Sequence, residues 1–406
     1  MMELLAPAGA MPQLKSALNF GADAVYGGFE SYGLRASAGN FTQNEMKEAL
    51  ALTHAAGARF YVTLNILPFD DELPGLVSAA RLAYELGADG AIVADAGAFL
   101  KIRESVPGLP LHVSTQANVM NAATALLFAS LGAKRIVPAR ELSLERLRAL
   151  RDALPENVEI EAFVHGAMCM AYSGRCVMSD HLTGRGGNRG ECAQPCRWHY
   201  SVVEEKRPDQ AIGVETNERG TAIFSAFDLN MLSYLPQLRA AGVASLKIEG
   251  RMKTAYYVAS VVSCYRRALD LLEKEGEAAY LSALPALQAD LAKASHRASN
   301  TGFYFGAPTP ACGADAFSQT MEYVADVTGY QNGCACLTLK NRFFVGDTLE
   351  MLTKEGGKPF SVTAIIDEAT GDSLPTVSVA GQRLLVPCPF KAENGDFVRG
   401  PNRNHL

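Results

Sequence analysis

The sequence predicts an α/β protein: a (β/α)8 barrel of the TIM type with a cysteine-bearing insertion after strand seven, followed by a small C-terminal β-barrel domain. Three observations predict it. Short apolar strands alternate with amphipathic helical runs eight times over the first two-thirds of the chain. Four of the nine cysteines fall within 28 residues, where an even spread of nine over 406 would place about 0.6. From Tyr323 onward the text changes to short alternating strands separated by turn residues.

The expected barrel strands are Glu3–Pro7, Ala24–Gly27, Phe60–Asn65, Ala91–Asp95, His112–Thr115, Arg135–Pro138, Glu159–Val164 and Ser245–Glu249. Between them lie runs with apolar residues at helical spacing, such as Asn44–Ala56 and Leu76–Leu86. Many close on a Gly-Ala pair that suits a left-handed cap, as at Gly21, Gly57, Gly87 and Gly132. Single cores stop growing near ~250–300 residues, so the chain is partitioned as a barrel over 1–275, a helical linker over 276–320 and a β domain over 321–406. In that last domain the expected strands are EYVADVTGY, CACLTL, GDTLEML, FSVTAII and PTVSVA, with turns at Asn332-Gly333, Gly356-Gly357 and Gly371-Asp372.

Apolar residues make up 48% and charged residues 20%, and a net charge of −6 sets up no global field for nucleic acid. The opening MMELLAPAGAMPQL lacks a basic leader and reads directly into a strand. No run of about 18 uncharged apolar residues could span a membrane. A cytoplasmic enzyme with reduced thiols and no membrane partner is expected, with Cys264, Cys312, Cys334, Cys336 and Cys388 as buried small hydrophobes.

Cys169, Cys176, Cys192 and Cys196 are separated by six, fifteen and three residues. Thiolates are soft ligands, so four without a histidine suit an iron–sulfur cluster or a four-cysteine zinc site. Zinc knuckles bring paired cysteines two to four residues apart, and the first gap is too wide for that. A 4Fe–4S cluster is therefore favoured, with zinc, disulfides and unligated thiols as alternatives. The stretch sits after strand seven, in an insertion over 167–226, before a helix expected near Asp228. A usual βα loop has about 2–6 residues. Barrel chemistry occupies the carboxyl ends of the strands, so this insertion lies on the catalytic face or, alternatively, holds a structural cluster remote from chemistry.

On strand eight, period-two alternation puts Lys247 and Glu249 on one side, facing the barrel mouth, where they pair with each other or bind a ligand. Arg251 and Lys253 lie at or beyond its end. Arg35, Gln116 and Arg140 follow strands two, five and six. A guanidinium reads carboxylate or phosphate through a planar fork, so Arg35, Arg140 and Arg251 about one mouth suggest an anionic ligand. Removing Arg35 or Arg251 should then weaken use of that ligand while sparing the fold. Residues 169–200 hold four arginines against two acids, together with Trp198, His199 and Tyr200, a mixture suited to an unpaired nucleotide or simply to a solvated loop.

The segment EAFVHGAMCMAYSGRCVMS, Glu161–Ser179, resembles the signature of the collagenase-like peptidase family U32. LLAPAG, ADAVYGG, RASAGNFT, HVSTQANVMN, NRGECAQPCRW and KIEGRMKTAYYVASVVSCYR extend the likeness over nearly the whole chain. The resemblance implies either proteolysis or oxygen-independent hydroxylation of RNA, the latter with iron–sulfur assembly machinery as partner and prephenate as co-substrate. Clustered cysteines that ligate iron cannot also be protease nucleophiles, which favours hydroxylation of tRNA at the wobble uridine over peptidase activity or rRNA pyrimidine hydroxylation. On this reading His165, Glu249 and Lys247 are the catalytic candidates, and Gln116, Lys253 and the three arginines bind substrate. Some relatives carry a cysteine where this chain has Asn230, which leaves Cys196 as the fourth thiolate. Assembly as a homo-oligomer or with a paralogue is left open.

Overall fold

The computed structural model describes residues 1–34, 39–169, 171–198, 203–204, 207–211, 227–306 and 318–403. Eight parallel strands close a barrel: β1 (Glu3–Pro7), β2 (Ala24–Gly27), β3 (Arg59–Leu64), β4 (Gly90–Val93), β5 (Leu111–Val113), β6 (Arg135–Ile136), β7 (Glu159–Ala167) and β8 (Ser245–Ile248). Each pairs with the next, and β8 bonds to both β1 and β7, with Glu3 opposite Ser245 and Glu161 opposite Ser245. These strands are buried almost throughout, as an apolar sheet covered by helices must be. Helices α1 (Met11–Asn19), α2 (Gln43–Ala55), α3 (Leu73–Glu85), α4 (Ala96–Ser105), α5 (Ala122–Ser130) and α6 (Leu144–Ala153) follow β1 to β6. Gly21, Gly57, Gly87 and Gly132 all take positive φ, as their cap positions require. Helix α2 opens on a capping box in which Thr42 and Glu45 satisfy each other's backbone N–H groups.

The barrel interior is filled from its amino-terminal end by a buried ion network. Arg135 bonds Glu3 at 2.6 Å, Glu159 at 2.6 Å and Glu161 at 3.1 Å. Glu3 also accepts from Tyr61 Oη and Ser245 Oγ, both at 2.8 Å. Burial works to raise the Glu3 pKa, but the charges of Arg135 and Arg59 outweigh it and hold the carboxyl below its usual range. Beside this network His112 packs edge-on against Tyr61 at 4.6 Å and is 4% exposed. Burial, then the cations Arg135, Lys247 and Arg59, push its pKa well below 6.5, so it is neutral in the fold. The unfolded chain therefore binds the extra proton below about pH 6.5. Stability is expected to fall on acidification through that window by up to about 1.4 kcal/mol per pH unit. Denaturation followed at pH 7.5 and 5.5 tests this: His112→Leu should flatten the dependence, and an unchanged slope would show that His112 does not set it.

Strand β7 runs past its expected end, and Asp228–Asn230 returns antiparallel to it, Asp228 opposite Ala167. The helix expected near Asp228 is therefore a strand. It is held by pairing with Ser299–Asn300 and by the Arg297 N–H donated to Asp228 at 3.1 Å, and α7 (Leu235–Ala240) starts only afterwards. The insertion thus leaves and re-enters the barrel through a closed two-strand base.

The chain divides into two units, one of Met1–Leu14, Ala22–Lys253 and Arg297–Phe317, the other of Lys15–Gly21, Thr254–His296 and Ser318–Leu406. In this division α8 (Ala255–Asp270) and α9 (Glu277–Leu291) fall with the C-terminal strands. Buried ion pairs explain why. Fully buried Arg399 pairs with Asp290 of α9 and Glu350, Arg267 of α8 pairs with Asp290, and Lys293 reaches Glu350 at 2.8 Å. The C-terminal sheet has seven antiparallel strands around one apolar core. Two of them, Arg383–Pro387 and Phe397–Pro401, are not among the expected strands, because proline and a buried arginine in such short runs hide the alternation. Cys264 and Cys388 are buried as expected, Cys334 and Cys336 are only half-buried because they face outward on their strand, and Cys312 lies outside the described residues. Among the described residues no helix is long and apolar enough to cross a membrane.

Candidate functional site

At the carboxyl ends of the barrel strands lies a cavity of about 130 Å³, and Cys169, Cys176, Cys192 and Cys196 all line it. Three barrel loops pin the insertion that carries them. Glu141, after β6, accepts from the Ser173 N–H at 3.0 Å and from its hydroxyl at 3.2 Å. Gly174, at φ +72°, packs so closely on the loop after β5 that an added Cβ would sit 2.2 Å from the Gln116 carbonyl oxygen. Glu72, after β3, takes both Arg189 nitrogens, at 2.6 and 3.1 Å, while the Arg189 guanidinium lies 4.3 Å over Phe69. Within the insertion the Gln194 N–H donates to Cys192 Sγ at 3.4 Å. Four soft donors about one cavity fit an iron–sulfur or zinc group by type. Among the described residues no three His, Cys, Asp or Glu side chains form a group that could hold a single ion.

The charged candidates separate in space. Lys247, Glu249, Arg140, Arg251 and Gln116 line the cavity. Lys247 and Glu249 do not pair with each other. Lys247 Nζ bonds the buried Glu161 at 2.7 Å and lies 4.3 Å over the Tyr26 ring, whereas Glu249 pairs with Arg140 at 3.3 Å. Arg140 also donates to the Ala167 carbonyl at 2.9 Å and stacks 3.7 Å over Phe163. His165 and Lys253 do not line the cavity. A β-bulge explains the first: Lys247 pairs with Phe163 but Ile248 with His165, so Val164 is the extra residue and His165 turns to the side of Ile248. Lys253 sits in the turn before α8, where its carbonyl accepts from Gln13. Arg35 lies outside the described residues.

Arg251 is 4% exposed and its guanidinium ties the loop after β2 to β3, donating to the Leu34 carbonyl at 2.7 Å and to Asn40 Oδ1 in the loop and to Thr63 Oγ1 of β3 at 3.1 Å. That bonding argues against the expectation that its removal spares the fold. Arg251→Ala is expected to leave buried acceptors unsatisfied and to destabilise the barrel by about 3–5 kcal/mol, which urea denaturation would register. A loss under about 1 kcal/mol would count against this bracing role. Sequence reasoning gave no role to Glu161 or Glu141. For Glu161 a signal existed, a carboxylate in the middle of an apolar strand.

Residues 9–312 match the description "Peptidase family U32", and residues 319–399 match "Peptidase family U32 C-terminal domain". The chain belongs to peptidase family U32. This U32 chain is 33% identical to "tRNA hydroxylation protein P" of Escherichia coli K12, over 98% of this chain and 99% of that protein. To "tRNA hydroxylation protein P1" of Bacillus subtilis 168 it is 37% identical, over 87% of this chain and 84% of that one. A third relative, named "Collagenase", of Porphyromonas gingivalis W83, is 34% identical over 66% of this chain and 65% of its own length.

Proposed function

We propose that this U32 protein is an RNA-modifying enzyme that hydroxylates the wobble uridine of tRNA at its 5-position, with a 4Fe–4S cluster on Cys169, Cys176, Cys192 and Cys196 and prephenate as co-substrate. The observation that carries the reading is the meeting of four cysteines, spread over 28 residues, on one cavity at the mouth of the barrel. The relatives of Escherichia coli and Bacillus subtilis named for tRNA hydroxylation match 98% and 87% of the chain. A cluster bound there would supply redox or Lewis-acid chemistry next to the substrate. Arg140 presents a guanidinium edge to the cavity for a donor carboxylate. Glu249, its 3.3 Å partner, is placed to take the proton displaced from the pyrimidine ring. Lys247, paired with Glu161 at 2.7 Å, lines the same cavity.

Nucleoside mass spectrometry of bulk tRNA from a strain lacking the gene tests the proposal. Loss of wobble 5-hydroxyuridine and its derivatives, restored by the wild-type gene, is expected. Unchanged tRNA together with peptide cleavage by metal-free protein would overturn it in favour of a peptidase.

A further inference from the structure

Gln116 occupies a place that the fold clamps and leaves chemically unfinished. It stands in the 3₁₀ turn Thr115–Ala117, whose Ser114 cap accepts the Gln116 N–H at 3.3 Å. From the other side Gly174 presses on its carbonyl, and the space for a Cβ there is only 3.2 Å from Oε1 as well. The backbone is thus fixed between β5 and the cysteine insertion. Its side chain lines the cavity, yet Oε1 is buried and has no hydrogen-bond partner among the described residues. A buried amide oxygen without a donor is costly, so a ligand that brings an N–H to it binds with that penalty relieved. Two residues from Gly174, Tyr172 lines the same cavity while remaining 58% exposed, an aromatic face with no burial to account for its position.

Resting on the RNA reading above, we propose that Gln116 reads the Watson–Crick edge of the pyrimidine to be hydroxylated while Tyr172 stacks on its face. A uracil edge offers N3–H to Oε1 and a neighbouring carbonyl to Nε2, the pairing by which enzymes hold a base taken out of its stack. Stacking on an aromatic side chain holds any base, so selectivity falls to the glutamine.

A strain lacking the endogenous gene, complemented with full-length variants, carries two plasmid-borne tRNAs that differ only by uridine or cytidine at the target position. Hydroxylation of each is read by nucleoside mass spectrometry. Gln116→Leu is expected to lower hydroxyuridine by about ten- to hundredfold, the usual discrimination of one bidentate base contact. Gln116→Glu should raise the cytidine-to-uridine ratio, since a carboxylate accepts from the cytosine amine but repels the uracil carbonyl. Tyr172→Phe should retain activity and Tyr172→Ala lose it, which separates stacking from the hydroxyl. Because the ratio is internal to one protein, Gln116→Glu decides the matter even if Gln116→Leu fails to fold. Full activity in Gln116→Leu, or an unchanged ratio in Gln116→Glu, overturns this inference alone. A wild type that restores neither target overturns the RNA reading and the inference with it.

Discussion

Cys176→Ser protein, purified without oxygen, is expected to lack the brown colour and most of the about four irons per chain expected of the wild type. A serine oxygen is a hard donor and a poor replacement for a thiolate, and among the described side chains of the insertion no Ala, Val, Leu, Met or aromatic one past Met168 is buried to hold the remaining three sulfurs in place. The same variant should fail to restore hydroxyuridine in the deletion strain. Cys264→Ser is the control. Its thiol is 1% exposed, and burial pushes its pKa up to about 12, so it is a protonated packing group with no metal to hold. Iron content and tRNA hydroxylation should survive that change. Colourless wild-type protein with one zinc would sink the cluster, and equal iron in the Cys176 and Cys264 variants would remove Cys176 from its ligands.

The second large effect concerns stability. Glu161 has no solvent exposure and bonds two cations, Lys247 at 2.7 Å and Arg135 at 3.1 Å. Removing one member of a buried pair strands its partner in low dielectric, at about 3–5 kcal/mol. Glu161→Gln is therefore expected to lower barrel stability by that amount in a denaturant titration, because the amide turns one oxygen into a donor aimed at a cation. Adding Lys247→Met should recover part of the loss, since the stranded ammonium is then gone and its stem packs on Tyr26. Additive losses in the double variant would show that the two groups do not act as a pair. The variant also tests the site, because Glu161 is the ion partner of the cavity-lining Lys247.

Several features were legible in the residues because they depend on near neighbours. Glu3–Pro7 and Ala24–Gly27 are strands over those same residues, and the helices after them end where a glycine can take positive φ. Period-two alternation correctly put Lys247 and Glu249 on the cavity side of β8. His165, a catalytic candidate, turns away from the cavity because one extra residue in β7 reverses the alternation, and nothing in the residues EIEAFVHGA marks that bulge. The helix expected near Asp228 is a strand that exists only because β7 and Ser299–Asn300 are there to pair with it.

By itself the sequence determined the barrel class, the C-terminal β domain and the concentration of thiolate chemistry after strand seven, since hydrophobic periodicity, turn residues and residue clustering are local properties. Only the tertiary structure decided which charges meet: Arg135 with Glu3 across 132 residues, Lys247 with Glu161 across 86, Arg251 with the loop around Leu34 across 217. Those partners are chosen when β8 closes against β1 and β7 and takes buried ions out of water together. Each charge must then find its counter-charge among whatever the closed register places within about 3 Å.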